Sequence, residues 1–381
     1  VVPVVPVLLA ACGSPTPPVT PPVPAPDPAT VDVSLYLVGD AGAPRPGDAV
    51  LAAVTRDLAD RTMDRLVVFL GDNVYSRGMP DSADPGFAEA ARRLQQQIDA
   101  VLAGGGRAVF VPGNHDWVEG AEEGWDAIRR QERHIARHAP RAVLVPSGGC
   151  PGPTVIDVGN RLRVVALDTQ WWFHGGPKPV HPTSSCGADA PAEVTDSIRS
   201  VLERTDARHV VVVAHHPLAT GGVHGGHFGV LDHLFPLRAW KRWLWVPLPL
   251  IGSAYPLARQ AGISDQDLSS GAYQAVRDSM VAAFTAHPPL VYAAGHEHNL
   301  QVLDGPGARF VLVSGAGYYG HTSRVTYTER SRYANEASGF MRLDFLRDGR
   351  VRLGVIEVGG VGEAGEAFSM WLVPDSTETG R

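Results

Sequence analysis

Five short runs carry residue types on which hydrolytic metal chemistry is built: Gly39-Asp40-Ala41-Gly42, Gly71-Asp72-Asn73-Val74-Tyr75, Gly113-Asn114-His115-Asp116, Val212-Val213-Ala214-His215 and Gly295-His296-Glu297-His298. Together they offer two carboxylates (Asp40, Asp72), an amide oxygen (Asn114), three imidazoles (His215, His296, His298) and the phenol of Tyr75. A mixed oxygen and nitrogen set of this kind suits a pair of first-row metal ions, which can clamp both oxygens of a phosphoryl displacement. One such run alone means little, because Gly-Asp and Gly-Asn are common turn formers after strands. Five coincident runs with complementary ligands predict one shared two-metal site.

The elements around these runs predict how they are brought together. From Val31 onward, short apolar runs alternate with amphipathic segments, which is the pattern of an α/β fold. Strands are predicted at 31–39, 66–70, 108–111, 142–145, 154–158, 162–167, 209–213 and 290–293. Helices are predicted near 48–62, 87–102, 122–138, 192–204 and 266–286. A strand-rich C-terminal part has candidates at 301–303, 310–313, 340–346 and 351–357. Asp40, Asp72, Asn114, His215 and His296 each follow the last apolar residues of a strand, so a single sheet edge should collect them, as it does the ligands of open α/β sheets.

In order, the five runs resemble the signature of purple acid phosphatases within the calcineurin-like metallophosphoesterase superfamily, over most of 31–319. The wider superfamily has Asp-x-His in its first motif. Here Asp40-Ala41-Gly42 lacks that imidazole and Tyr75 supplies a phenol. The resemblance implies a four-layer α/β/β/α sandwich with the dimetal site at the C-terminal ends of the strands. It implies Fe(III) on Asp40, Asp72, Tyr75 and His298, and a divalent Fe, Zn or Mn on Asp72, Asn114, His215 and His296, with Asp72 bridging. It further assigns His115 and His224 to bind phosphoryl oxygens and protonate the leaving group, work suited to imidazole. The implied reaction is hydrolysis of phosphate monoesters by in-line attack of a metal-bound hydroxide, with no phosphoenzyme. Asp116 would orient His115, His216 and His227 read as loop polar contacts, and Asp168 as a structural cap.

The bulk numbers bound the alternatives. The 381 residues are 44% hydrophobic, enough for a large core, and the net charge of −7 without a basic helix face argues against nucleic acid as a partner. Residues 1–30 differ from the rest: an apolar run to Ala11, then Cys12, then a tract rich in Pro, Thr and Val. Leu9-Ala10-Ala11-Cys12 resembles the lipobox of bacterial lipoproteins, which implies a lipidated Cys12, a spacer tether and an extracytoplasmic, membrane-anchored protein. Cys150 and Cys186 then form an even pair and are expected to be bonded, two separate thiols being the alternative.

Residues 31–360 are read as the catalytic domain and 361–381 as a tail. Within the domain, 228–262 is a Trp-rich insertion interrupted too often by Pro to span a bilayer, and so either a lid or interfacial segment or a loop packed on the body. A phosphodiesterase or nucleotide pyrophosphatase on the same centre, and a catalytically silent surface-binding lipoprotein, are the competing functions.

Overall fold

The computed structural model describes residues 22–374, apart from 183, 205, 207, 240–242, 250 and 361. Cys12 and its apolar leader lie outside the described residues, as do Trp240, Lys241 and Arg242. In chain order the elements are β1 (Val31–Val38), α1 (Ala49–Ala59), β2 (Asp64–Phe69), α2 (Phe87–Ala103), β3 (Arg107–Phe110), α3 (Gly124–His138), β4 (Ala142–Leu144), β5 (Thr154–Val158) and β6 (Leu162–Ala166). There follow α4 (Gln170–Phe173), α5 (Pro191–Leu202), β7 (His209–Val213), α6 (Val230–Leu234), α7 (Ala254–Gln260), α8 (Gly271–Phe284) and β8 (Val291–Ala294). The chain closes with β9 (Leu300–Asp304), β10 (Phe310–Ser314), β11 (Ser331–Asn335), β12 (Gly339–Leu346), β13 (Val351–Val358) and β14 (Ala364–Val373).

These strands make two seven-stranded mixed sheets, ordered β14-β13-β12-β1-β2-β3-β4 and β11-β9-β10-β8-β7-β6-β5. Strands β1 to β4 are parallel, and β1 joins β12 antiparallel in the register Leu35↔Leu343. In the second sheet β6, β7, β8 and β10 run parallel.

Period-2 alternation explains the layering. Val33, Leu35 and Leu37 of β1 and Val211 and Val213 of β7 point into the core between the sheets. Tyr36 and Val38 face the other way, into the layer that α1, α2 and α3 cover, and Val210 and Val212 face α5 and α8. Both faces of the central strands are therefore dry, which is why they read as unbroken apolar runs. Leu35 is 0% exposed at the heart of the inter-sheet core, and Leu35→Ala would cost about 2–5 kcal/mol. The four-layer α/β/β/α arrangement implied by the resemblance is the one observed.

Two differences concern the segments expected to lie outside the layers. Residues 364–373, expected as tail, form edge strand β14 against β13. Alternate residues Phe368, Met370 and Leu372 pack on the inter-sheet core, and Ser369 Oγ accepts a 2.9 Å hydrogen bond from Val23 N. The insertion is neither strand nor bare loop: α6, α7 and the 3-10 turns at 236–239 and 251–253 pack on one another. Among the described residues no helix is long and apolar enough to cross a membrane.

Candidate metal centre

The ligand candidates come from both sheets. Asp40, Asp72 and Asn114 follow β1, β2 and β3 of the first, and His215 and His296 follow β7 and β8 of the second. They meet where the C-terminal ends of the two sheets converge, so the expected single sheet edge is in fact a rim shared by two sheets. Asp40, Asp72 and His296 hold left-handed backbones, with φ of 57°, 54° and 70°. Such conformations cost of order 1–3 kcal/mol each outside glycine and persist where packing over-determines them. Here the turns aim each side chain inward. Gly42 and Gly113 let the loops close: a Cβ on Gly42 would collide with the Asp72 carbonyl, and one on Gly113 with the Asp72 carboxylate.

Two groups of donor atoms result. In the first, Tyr75 Oη lies 3.0 Å from Asp40 Oδ1 and 3.1 Å from His298 Nε2, which is itself 3.4 Å from Asp40 Oδ1. In the second, Asn114 Oδ1 lies 2.8 Å from His215 Nε2 and 3.2 Å from His296 Nδ1. Asp72 joins them: Oδ1 is 3.5 Å from His215 Nε2, and one carboxylate atom of Asp40, one of Asp72 and a nitrogen of His215 all fall within 4.8 Å of one another. All seven predicted ligands are thus gathered in one place.

Their chemistry fits cations. The Leu70 carbonyl accepts from His215 Nδ1 at 2.9 Å and the Gln266 carbonyl from His296 Nε2 at 3.0 Å, which turns the other ring nitrogen's lone pair inward in each case. Burial lowers His296 well below its usual pKa and His298 to about 4, so both offer neutral nitrogens near neutral pH. Burial pushes the Asp40 carboxyl up to about 8 and the Tyr75 phenol well above its ordinary value. Buried acids of this kind ionise readily only beside positive charge.

His115 and His224 flank the two groups. The His115 ring lies 4.6 Å from Tyr75, its Nδ1 donates to the Ser76 carbonyl at 2.7 Å, and its Nε2 is 3.9 Å from Asp72 Oδ2. Burial acts to lower its pKa, but the Asp72 carboxylate, the Ser76 carbonyl and Glu119 outweigh this and hold it above the usual value. His224 stacks on His296 at 4.0 Å, and its Nδ1 donates to Asp267 Oδ1 at 2.9 Å.

Asp116 does not orient His115. Its carboxylate accepts from Gly113 N at 2.9 Å, from Asn73 N and Val74 N at 3.0 Å, and from Asn73 Nδ2 at 3.0 Å, so it ties the two ligand loops together. His216 is a buried polar contact as expected, placed between Thr169 Oγ1 and Gln266 Oε1 at 2.8 Å each. Asp168 caps: it accepts from Trp117 Nε1 at 2.8 Å and from Trp171 N at 3.2 Å at the start of α4. Cys150 and Cys186 are bonded.

Sequence reasoning missed Asp267, Arg259, Glu297 and His321. Asp267, 1% exposed, is held by Arg259 of α7 and in turn holds His224. Glu297, fully buried between two ligands, accepts from His224 N at 2.8 Å and so pins the loop that carries this histidine. His321 stacks on His298 at 3.8 Å and on Tyr318 at 4.7 Å. Only Glu297, inside Gly-His-Glu-His, stood in a run that could have flagged it.

Comparison with known proteins agrees with this geometry. No curated protein sequence matches significantly. Among solved structures, the chain is similar to GAP50, the anchor in the inner membrane complex of Plasmodium, with TM-score 0.53 and 14% identity over 92% of this chain and 91% of that one. It is similar to purple acid phosphatase PPD1 from yellow lupin (Lupinus luteus) seeds, with TM-score 0.53 and 14% identity over 88% of this chain and 53% of the lupin chain. PhoD matches with TM-score 0.55 and 12% identity over 94% of this chain and 71% of the other. At such identities these likenesses speak for the fold alone. The calcineurin-like phosphoesterase model, however, matches residues 34–243, more than half of the chain. With its two-sheet sandwich and rim of gathered ligands, the protein belongs to the calcineurin-like phosphoesterase family.

Proposed function

We propose that the chain hydrolyses phosphate monoesters at a dinuclear centre. The observation that carries this reading is the pairing of the two donor groups through Asp72. Asp40, Asp72, Tyr75 and His298 would hold the harder ion, read as Fe(III) because a phenolate favours it, and Asp72, Asn114, His215 and His296 a divalent Fe, Zn or Mn. When bound, the two ions supply charge neutralisation of the phosphoryl oxygens and an acidified water.

The rest is work for the chain's own side chains. His115, with Nδ1 committed to the Ser76 carbonyl, presents Nε2 as a donor to a phosphoryl oxygen beside Tyr75. His224, with Nδ1 committed to Asp267, keeps Nε2 for the leaving group and delivers a proton to the departing alkoxide oxygen. Both imidazoles are positioned before substrate arrives, which lowers the reorganisation demanded in the transition state.

Metal content and ester kinetics test the reading together. Purified protein is expected to hold two ions per chain and to turn over p-nitrophenyl phosphate much faster than bis(p-nitrophenyl) phosphate. Asn114→Ala should lose close to one ion along with activity. A fully loaded protein that leaves the monoester untouched would refute a phosphomonoesterase, and preference for the diester would establish the phosphodiesterase in its place.

The same reading proposes an extracytoplasmic location with acylation at Cys12. The Cys150–Cys186 bond supports it, since oxidising compartments preserve such links. Radiolabelled palmitate should enter the wild-type chain in bacteria and not a Cys12→Ser variant.

A further inference from the structure

Ten of the fourteen large apolar side chains exposed among the described residues fall within 230–263, with Val230, Trp243, Ile251 and Ile263 more than 70% exposed. The described backbone on either side of 240–242 is held to the body and to itself. Asp232 pairs with Arg324 at 3.6 Å, Leu248 N bonds the Leu234 carbonyl at 2.8 Å, and Gln260 Nε2 donates to the Gly226 carbonyl at 2.8 Å. Clustered apolar side chains left outside on an ordered segment are the mark of an interaction surface.

The composition of the segment says which kind. By sequence it carries Arg238, Lys241, Arg242 and Arg259 against one acid, Asp232, in a chain whose net charge is −7; with Arg259 committed to Asp267, the excess rests on the other three. The Arg238 guanidinium lies over the Trp245 ring at 3.9 Å, so cation and indole stand at one level. A bilayer surface accepts Trp and Tyr at headgroup depth beside aliphatic side chains and attracts lysine and arginine to anionic lipid, which matches a patch that combines aliphatics, indoles and a cationic excess. Helices α6 and α7, of 5 and 7 residues, are too short to span, so the contact is superficial.

We infer that the 230–263 subassembly is a docking face for the surface of a bilayer with anionic headgroups. The contact stands independently of the reaction catalysed and of any acyl chain on Cys12. It has a direct line to the catalytic rim, because Arg259 of α7 grips Asp267, the partner of His224.

The test uses the full chain carrying Cys12→Ser, which has no acyl chain, mixed with vesicles of phosphatidylcholine alone or with phosphatidylglycerol added. The protein is expected to sediment with the phosphatidylglycerol vesicles, to release as salt is raised, and to lose tryptophan fluorescence to brominated acyl chains. The triple variant Trp243→Ser/Trp245→Ser/Ile251→Ser should weaken vesicle binding by roughly tenfold or more, as the loss of apolar area demands, with melting temperature and turnover of a soluble ester unchanged. Absence of sedimentation, or sedimentation that the triple variant leaves intact, overturns the inference. So does a concentration-dependent dimer, abolished by the triple variant, in a protein that ignores vesicles.

Discussion

Asp267→Asn isolates the part His224 plays in the proposed reaction. The carboxylate is 1% exposed and lies between Arg259 and His224 Nδ1. Burial alone would raise its pKa, but the hydrogen bonds from Arg259 and His224 hold it below the ordinary carboxylate value. It is therefore an anion facing the ring that donates the proton. Asparagine keeps the shape and can still accept from Nδ1, but removes the charge.

A hydrogen bond to a charged group contributes about 1.5–3 kcal/mol. Asparagine keeps a neutral hydrogen bond of roughly half that strength, so about 0.7–1.5 kcal/mol is lost from the transition state, and at about 1.4 kcal/mol per factor of ten turnover falls roughly 3- to 12-fold where proton transfer to the leaving group matters. The assay compares kcat on an alkyl phosphate, whose alkoxide must be protonated, with kcat on p-nitrophenyl phosphate, whose leaving group departs unaided. The variant should lose activity on the first within that range and far less on the second, with two ions still bound. Equal losses on both substrates, with metal content and melting temperature preserved, would refute the assignment of Asp267 as the residue that positions the proton donor.

Three further outcomes follow from named contacts. Tyr75→Phe should abolish visible charge-transfer absorption while leaving the fold intact, since among the described residues the hydroxyl bonds to Asp40 and His298, both in the site; persistence of the band in the purified variant would remove the phenolate from the centre. Asp116→Ala orphans four buried donors from the ligand loops and should lower stability by about 3 kcal/mol or more, measured by urea denaturation. The Asp168 carboxyl, pushed up to about 8 by burial from an ordinary value near 3.8, keeps its proton in the folded chain. Its contribution to stability is full below about pH 4 and is lost as pH rises through about 8, so Asp168→Asn should flatten the decline between those limits, read from denaturant midpoints across that range.

Asp40, Asp72, Asn114, His215 and His296 were legible as candidate ligands because each closely follows an apolar run and carries a donor that a bland turn does not need. Strands buried on both faces announced themselves as unbroken apolar runs, and β7 fell on the expected bounds, His209–Val213. Of the four edge strands, β4 and β5 were expected and β11 and β14 were not. β11, Ser-Arg-Tyr-Ala-Asn, and the first half of β14 are largely exposed and polar, so nothing in their composition separates them from loop. The supporting residues of the site were hidden for a different reason. Asp267 and Arg259 are eight residues apart, across a helix end, and meet His224 only through tertiary folding. Asp116 was legible as a carboxylate near the site, but which atoms it would satisfy depended on how two loops close.

The rim that gathers the ligands is fed by two sheets that share no strand, and the apolar filling between them sets how far apart their ends stand together with a few clasps, Gly39 N to the Ser314 carbonyl and Ser314 Oγ to the Leu37 carbonyl, each 2.7 Å. The span from the ligands of the first sheet to those of the second is therefore gauged in part by the girth of side chains such as Leu37 and Val213, themselves not ligands. Swapping a methyl group in or out of that filling would act like changing the thickness of a shim, widening or narrowing the jaws of the centre without touching a single donor atom.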